Sequence, residues 1–398
     1  MTPKPEMLEN INIERLLGQY QTPCYVYSAS TIRNQYRKLA SAFPGFTVCY
    51  SLKANPNPAI GRILAGLGAG AETSSQAELE SALAAGFNPR DIIMVGPAKS
   101  ADDIGAAIRN GIYAIVVDSG DELLQVDALT QRSDRPQLAL LRINTMEKPR
   151  SKEAMVGGPS KFGFDEEKVV SQVQGIKLDQ TRIAGIQVYS ASQVLDSGFL
   201  ARHLEYVLEL AKRLAGELKF KPECIDFGGG FGVPYAENEP ELDLKPIAEV
   251  AHRLRADNRE FLAGCRLLLE SGRYLVAESG VFLTRIVRVK ESRGKTFVIT
   301  DAGMNAFSRP VFMQVRHPIR LLNRLGEPAA GRYEVCGPIC TPLDCIGSDV
   351  PLPSPEPGDV VGVFNAGAYG YSMSLRDFMS LPHPKEILAD QSKLTLTH

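Results

Sequence analysis

Eight short apolar runs, each followed by a stretch with helical periodicity, occur in succession between about residue 46 and residue 273 of this 398-residue chain. β-Branched residues are frequent in the runs, and Gly, Pro or Asn bounds them, which is typical of buried strands. The intervening stretches, such as 75–86, 100–111 and 199–218, are amphipathic and long enough for the crossover helices of a parallel sheet. The predicted strands are 46–53, 68–75, 91–97, 114–119, 138–144, 183–190, 224–230 and 266–273.

Eight consecutive βα units favour a closed (β/α)8 barrel. The same alternation of strands and helices is also compatible with an open doubly wound sheet, which remains the alternative fold. After residue 273 the pattern changes to strands without long helices, at 281–289, 296–300 and 359–364, separated by turns rich in Gly and Pro. We therefore predict an α/β protein: a barrel over residues 30–273, followed by a β-rich domain formed by residues 1–29 plus 274–398.

Charge and composition exclude several classes of function. The chain has 44 Lys plus Arg against 46 Asp plus Glu, a formal net charge of -2. It therefore lacks the positive charge that would attract nucleic acids or membrane surfaces. No apolar run approaches the length of a membrane span, and no export signal is visible. The seven cysteines are odd in number and lack a CxxC pair, which predicts neither a disulfide framework nor a metal site. We expect a cytoplasmic protein that binds no metal, membrane or nucleic acid.

Polar side chains end three of the predicted strands, where a barrel assembles its active site. The first strand ends at Lys53, and the seventh runs into Gly228, Gly229 and Gly230, whose backbone N–H groups can approach a phosphate. The eighth strand ends at Arg273, a candidate phosphate ligand, and it also contains Glu270, a possible partner for a heteroaromatic ring nitrogen. A lysine amine, a phosphate cradle and an acid for a ring nitrogen are what pyridoxal 5'-phosphate requires, so the sequence predicts this cofactor.

The motifs resemble, over nearly the whole chain, those of the alanine-racemase-type (fold type III) pyridoxal-phosphate decarboxylases, the family of the diaminopimelate, ornithine and arginine decarboxylases. The Tyr-x-x-Lys-x-Asn motif is found at 50–55 and the glycine loop at 228–232. The Glu-Pro-Gly-Arg motif reads Glu270-Ser271-Gly272-Arg273 and so lacks its proline. The Gly-Pro-x-Cys loop is found at 337–340 and the Gly-Ala-Tyr-Gly segment at 367–370.

The resemblance implies roles for particular residues. Lys53 and Cys340 are the implied catalytic residues, with Cys340 reaching across a homodimer interface to donate a proton in an active site shared between subunits. A carboxylate at position 270 keeps the pyridine nitrogen protonated, which favours decarboxylation over racemisation. The implied cofactor-binding residues are Lys53, Arg142, Tyr189, Ser192, Gly228, Gly229, Gly230, Glu270, Arg273 and Tyr369.

Three departures from the family pattern bear on the substrate. The segment that normally carries a ring-stacking His reads Tyr189-Ser190-Ala191-Ser192, so Tyr189 must supply any stacking face. Thr341 follows the loop cysteine, where diamino-acid decarboxylases have Glu or Asp. The Arg-Pro-x-x-Tyr segment keeps Arg309 but ends in Met313. The predicted substrate-binding residues are Arg309, Thr341 and Asp344.

These departures most resemble a biosynthetic branch that contains the butirosin-pathway glutamyl-acyl-carrier-protein decarboxylase. We therefore predict decarboxylation of a conjugated or carrier-bound L-amino acid, in antibiotic or siderophore biosynthesis. Siderophore-type decarboxylation of citryl-diaminopropionate and diaminopimelate decarboxylation stay open as alternatives. A non-catalytic pyridoxal-phosphate-binding protein is a further hypothesis, although such a protein would be expected to lose Lys53 or Cys340.

Some polar residues have two interpretations. Glu72 and Glu78 match acidic positions of the family, but a helix-capping role around Ser75 and Glu78 is equally open. His203 and His317 are expected to be surface or packing residues rather than catalysts.

Overall fold

The computed structural model describes residues 13–131, 133, 135–147, 154–236 and 238–397, so the first twelve residues of the predicted β-rich domain lie outside it. The described strands are β1 (Cys24–Ser28), β2 (Phe46–Ser51), β3 (Gly70–Thr73), β4 (Ile92–Met94), β5 (Ala114–Val117), β6 (Gln137–Asn144), β7 (Phe164–Asp165), β8 (Thr181–Gln187), β9 (Cys224–Asp226), β10 (Arg266–Ser271), β11 (Gly280–Ser292), β12 (Lys295–Thr300), β13 (Ile319–Leu321), β14 (Gly331–Cys336), β15 (Cys345–Leu352), β16 (Val360–Val363), β17 (Lys385–Asp390) and β18 (Lys393–Leu396). The α-helices are α1 (Ile13–Tyr20), α2 (Ala29–Ala42), α3 (Pro58–Gly66), α4 (Gln76–Ala85), α5 (Ala101–Arg109), α6 (Gly120–Thr130), α7 (Val169–Val173), α8 (Ser197–Leu218), α9 (Lys245–Asp257), α10 (Arg273–Val276) and α11 (Arg309–Met313).

Eight parallel strands close into a barrel in the order β2, β3, β4, β5, β6, β8, β9, β10, and β10 pairs with β2 to complete the ring. This confirms the predicted (β/α)8 barrel and shows that the open-sheet alternative is wrong. Most of the strands stop a few residues earlier than predicted, whereas β6 ends at Asn144 as predicted. After β3, for example, the Ser75 hydroxyl accepts the Glu78 N–H at 3.2 Å and caps α4, a contact that stabilises a helix by about 1 kcal/mol.

Small and β-branched side chains fill the barrel. Buried residues of this core come from strands all around the ring, which places the polar strand ends above a dry interior. They are Cys49, Ile93, Val95, Ala114, Val116, Leu140, Ala184, Cys224 and Leu268.

The β-rich part contains a second nine-stranded sheet, as predicted for the region after residue 273. Its main path runs β15, β14, β12, β11, β1, β17, β18, and β16 joins β11 and β13. The amino-terminal strand β1 lies in this sheet, antiparallel to β11 and parallel to β17. Leu16, Val26, Val281, Phe364 and Ile387 belong to its buried core.

The described chain separates into two compact units. The barrel unit comprises Tyr36–Val233 and Glu241–Gly272, and the β-rich unit comprises the described residues of Met1–Gln35, Pro234–Pro240 and Arg273–His398. The predicted domain boundaries at 29/30 and 273/274 stay a prediction. Among the described residues, no helix is both long enough and apolar enough to cross a membrane.

Candidate active site

Lys53 lies in a single 3-10 turn, Leu52–Ala54, at the carboxyl end of β2. Its Nζ is 2.6 Å from Oε1 of Glu72 and 2.5 Å from Oε2. Glu72 is fully buried on the neighbouring strand β3, whereas the lysine side chain is 36% exposed. The barrel therefore holds an accessible amine against a buried carboxylate. Of the two interpretations given for the acidic pair, Glu72 forms an ion pair rather than a helix cap. Glu78 instead accepts the Ser74 N–H at 2.7 Å, beside the Ser75 cap.

Two more buried acids lie at the ends of adjacent strands, Asp226 on β9 and Glu270 on β10. The amide of Gln187 donates to Glu270 Oε1 at 3.0 Å, and the Gly228 N–H donates to Asp226 Oδ1 at 2.9 Å. Burial and the adjacent Glu270 charge raise the pKa of Asp226 well above its usual range. Burial and the charge of Glu72 raise the pKa of Glu270. Two neighbouring buried acids are costly to ionise together, so the pair retains a proton, and the larger rise in pKa places that proton on Asp226.

The glycine loop follows Asp226 and packs directly against backbone. Gly228 and Gly230 have φ values of +63° and +99°. A Cβ on Gly229 would lie 2.2 Å from the Glu270 carbonyl oxygen, and one on Gly230 would lie 2.5 Å from that of Ala191. Only glycine permits this close approach, so the loop forms a backbone-lined cradle at the barrel end.

Tyr189 lies just after β8, with the centroid of its ring 5.9 Å from Lys53 Nζ. The same ring is 3.4 Å from the position of a Cβ on Gly229, so it adjoins both the lysine and the cradle. This is the location at which an aromatic face is expected to replace the family His. Ser192 follows in the same half-buried loop.

His203, on α8, holds the loops after β8 and β9. Its Nε2 donates to the Phe227 carbonyl oxygen at 2.8 Å, and its Nδ1 accepts from the Ser190 hydroxyl at 3.0 Å. Burial lowers the pKa of His203, which keeps the ring neutral in this role. It is a packing residue, as expected, but it packs against the two loops that carry Tyr189 and Gly228.

Arg142 contacts a different group of residues. Its guanidinium stacks on Phe162 at 4.4 Å, and its Nε is 4.0 Å from Asp118 Oδ1. Lys99 joins the same cluster, 2.9 Å from Glu122 and 3.7 Å from Asp118. These contacts do not support the predicted direct role of Arg142 at the cofactor.

The β-rich unit contains a buried cationic cluster around Tyr235. Arg273 donates to the Tyr235 hydroxyl at 3.1 Å and stacks on Tyr369 at 4.9 Å. Arg309 lies 4.1 Å from the centroid of the Tyr235 ring and donates to Nε2 of His317 at 2.6 Å. Burial and the Arg309 charge lower the pKa of His317 to about 3, so the neutral ring donates through Nδ1 to the Phe364 carbonyl oxygen at 2.9 Å. Two buried guanidinium groups held this way can bind a phosphate or a carboxylate.

Cys340 and Thr341 lie on the loop between β14 and β15. The Cys340 side chain is exposed, and Thr341 is half-buried. Asp344 is buried, and its oxygens accept the N–H groups of Met304 at 2.6 Å and Ile339 at 2.8 Å; its predicted contact with the substrate stays a prediction. The geometry of Asp344 is that of a residue that organises the loop.

The described groups fit pyridoxal phosphate. The barrel offers an accessible amine at Lys53, a buried acid at Glu270 and a glycine loop in which any Cβ would meet backbone atoms. When bound, the cofactor provides an electron sink for charge left on the α-carbon of an amino acid.

Comparison with known proteins identifies the family. A model of the pyridoxal-binding domain of pyridoxal-dependent decarboxylases matches residues 29–277. The L-glutamyl-[BtrI acyl-carrier protein] decarboxylase of Niallia circulans is 33% identical over 96% of this chain and 92% of its own. The diaminopimelate decarboxylase of Pseudomonas aeruginosa is also 33% identical, over 96% of this chain and 91% of its own.

A solved structure agrees with these matches. Diaminopimelate decarboxylase from Helicobacter pylori, complexed with L-lysine, superposes with a TM-score of 0.89 at 31% identity, covering 97% of this chain and 96% of that one. Because the matches span both parts of the chain and include characterised enzymes by name, the non-catalytic alternative is set aside. The chain belongs to the pyridoxal-phosphate-dependent decarboxylases, and it is a decarboxylase.

Proposed function

We propose that this enzyme removes the α-carboxylate of an L-amino acid whose side chain is conjugated to a larger group, of the kind represented by an L-glutamyl group on an acyl-carrier protein, in a specialised biosynthetic pathway. The observation that carries the proposal is the loop of residues 337–344. Its position after Cys340 is the neutral Thr341, and its one acidic residue, Asp344, is engaged by backbone N–H groups.

The charge of this loop argues against free diamino acids. The distal ammonium of diaminopimelate, lysine or ornithine would find no available carboxylate in the loop, and an unpaired buried charge costs about 3–5 kcal/mol. A glutamyl thioester or a citryl amide has no such ammonium. The Niallia circulans relative acts on an L-glutamyl group attached to a carrier protein, which supports this substrate class.

We assign the site residues different roles in this proposal. Lys53 would hold the cofactor through its amine, Glu270 would keep the ring nitrogen protonated with Asp226 beside it, and Tyr189 would supply the stacking face. Gly228, Gly229, Gly230 and Ser192 are proposed phosphate ligands, and so are Arg273 and Tyr369. Arg309 and Thr341 are proposed to contact the substrate, and Cys340 is the proposed proton donor to the α-carbon.

The active unit in this proposal is a homodimer with shared sites. Exposed apolar side chains accompany the Cys340 loop: Leu343 is 65% exposed, Phe378 50% and Met379 45%. The Cys340 N–H points at the Met379 sulfur at 3.5 Å, so part of this apolar surface adjoins Cys340. Apolar groups of this size at the surface are typical of subunit interfaces.

Mixed dimers test whether the active sites are shared between the subunits. After subunit exchange confirmed by mass, a mixture of inactive Lys53→Ala and inactive Cys340→Ala should recover activity, because some hybrid dimers carry one intact site. Exchange without recovery would contradict shared sites.

Substrate choice is tested by comparing kcat/KM, from CO2 release, for free glutamate, glutamyl-carrier protein, citryl-diaminopropionate and diaminopimelate. We expect the carrier-bound or conjugated substrates to be much better than diaminopimelate. Thr341→Glu should raise kcat/KM for diaminopimelate selectively, whereas Leu343→Glu, which adds the same charge at an exposed position of the loop, should not. The highest kcat/KM on free diaminopimelate in the wild type would overturn the proposal in favour of diaminopimelate decarboxylation.

A further inference from the structure

Two half-buried thiols face each other at the base of the Cys340 loop. Cys336 is the last residue of β14 and Cys345 the first of β15, and the two are register partners in this antiparallel pair, next to an irregularity between Val335 and Cys336. Directly opposed residues have α-carbons about 4.5–5.5 Å apart, within the range that a disulfide spans. Both cysteines are free thiols in the structure, and Cys345 Sγ donates to the Gly347 carbonyl oxygen at 3.3 Å.

The loop that these thiols bracket has a tightly packed base. The Gly337 N–H donates to the Asp344 carbonyl oxygen at 3.1 Å. A Cβ on Gly337 would lie 2.4 Å from the α-carbon of Gly303 and 2.4 Å from Asp344 Oδ2. Gly337 is therefore too tightly packed to shift when the spacing of Cys336 and Cys345 changes. Such a change must displace the loop that carries Cys340.

The surroundings of the pair make the two thiols unequal. The hydrogen bond from Cys336 lowers the pKa of the Cys345 thiol, while the same bond and burial raise the pKa of Cys336. Cys345 is thus the more readily ionised thiol, and it is the nucleophile in exchange with a disulfide.

We propose that Cys336 and Cys345 form a reversible disulfide that slows catalysis by shifting the Cys340 loop. The oxidant class is a small disulfide such as oxidised glutathione. The Cys345 thiolate attacks one glutathione sulfur and releases the first glutathione thiolate; Cys336 then loses its proton, attacks the Cys345 sulfur and releases the second. One S–S bond forms and one breaks. The two cysteines are oxidised to a disulfide, and their two protons and two electrons convert oxidised glutathione into two molecules of reduced glutathione.

The expected inhibition follows from geometry. Directly opposed residues have Cβ atoms about 4.5–5.5 Å apart, whereas a disulfide holds them at about 3.8 Å. The strands must therefore approach by about 1 Å at the loop base. The effect on activity rests on the proposed role of Cys340, but formation of the bond does not.

The test incubates the holoenzyme in glutathione buffers of increasing oxidised fraction and follows kcat together with the disulfide-linked peptide by mass spectrometry. We expect a Cys336–Cys345 linkage, a severalfold fall in kcat in step with it, and full recovery with dithiothreitol. Cys336→Ser, Cys336→Ala and Cys345→Ser should keep their activity in the oxidising buffers, and Cys265→Ser, which alters another half-buried thiol, should behave like the wild type.

Each other outcome has a definite meaning. Absence of the linkage at the most oxidising buffer overturns the proposal, as does a linkage that leaves kcat unchanged or an equal loss of activity in the Cys345→Ser variant. In Cys340→Ser the linkage should still form. If that variant is as active as the wild type, the proposed role of Cys340 fails while the disulfide remains established by mass.

Discussion

The barrel and the β-rich unit bury ionisable groups of opposite sign. In the barrel, three acids, Glu72, Asp226 and Glu270, lie at the ends of strands with Lys53. In the β-rich unit, Arg273 and Arg309 lie around Tyr235 with a His. Like charges at close range are costly in a protein interior, so each unit needs a means of lowering that cost.

The two units use different means. The barrel shares a proton between Asp226 and Glu270 and pairs Glu72 with Lys53. The β-rich unit stacks its guanidinium groups on tyrosine faces and keeps His317 neutral. The acidic set suits a lysine and a protonated ring nitrogen, whereas the cationic set suits a phosphate or a carboxylate.

The largest effect is expected from replacing Lys53, which pairs with Glu72 in the barrel. Lys53→Arg keeps a cation beside Glu72 but removes the primary amine, and Lys53→Ala removes both. Both variants should lose activity on the order of 10³-fold or more, together with the visible absorption band of the lysine-bound cofactor. Lys53→Ala should also melt at a lower temperature than Lys53→Arg, because Glu72 stays buried without its cation. A borohydride-stable cofactor adduct on either variant would show that another lysine is used.

A smaller effect is expected from removing the charge of Glu270 while keeping its shape. Glu270→Gln should lower kcat by about 10²-fold and leave cofactor binding detectable by absorbance, because electrostatic support of the ring is lost without the cradle. Asp226→Asn is the matched control: its amide still donates to Glu270, so kcat should change little. Equal losses in the two variants would mean that the pair acts through packing rather than through charge on Glu270.

The sequence predicted the parts of the site that short motifs encode. Lys53 follows β2 and Glu270 lies on β10, which are far apart in the chain, and the pairing of β10 with β2 brings these strand ends together. Tyr189 follows β8 and lies near Lys53 at the same end of the barrel. Periodicity and motif order are sufficient here, because strand ends share one rim in a closed barrel.

The sequence does not give the contacts that depend on side-chain direction. The structure shows Asp344 accepting backbone N–H groups and Arg142 beside Asp118 and Phe162, and the predicted roles of both residues stay predictions. The roles of His203 and His317 depend on partners 24 and 47 residues away, at Phe227 and Phe364. Neither histidine has a local motif, so only the folded chain reveals its partners.

The smallest effect is expected on the pH dependence of stability, through His317 in the β-rich unit. The pKa of His317 is about 3 in the folded protein against an ordinary value of 6.5. Below pH 6.5 the unfolded chain therefore binds a proton that the folded chain does not, so stability falls as pH falls, by about 1.4 kcal/mol per pH unit and about 2 kcal/mol by pH 5.

His317→Gln keeps an acceptor for Arg309 and a donor for Phe364 but does not titrate, so the variant should lose less stability than the wild type between pH 7.5 and pH 5. Thermal unfolding at both pH values measures the difference, and the buried His203 contributes equally to both proteins. His383→Gln, at an exposed site, should retain the wild-type slope; parallel wild-type and His317→Gln curves would show that His317 is not held neutral beside Arg309.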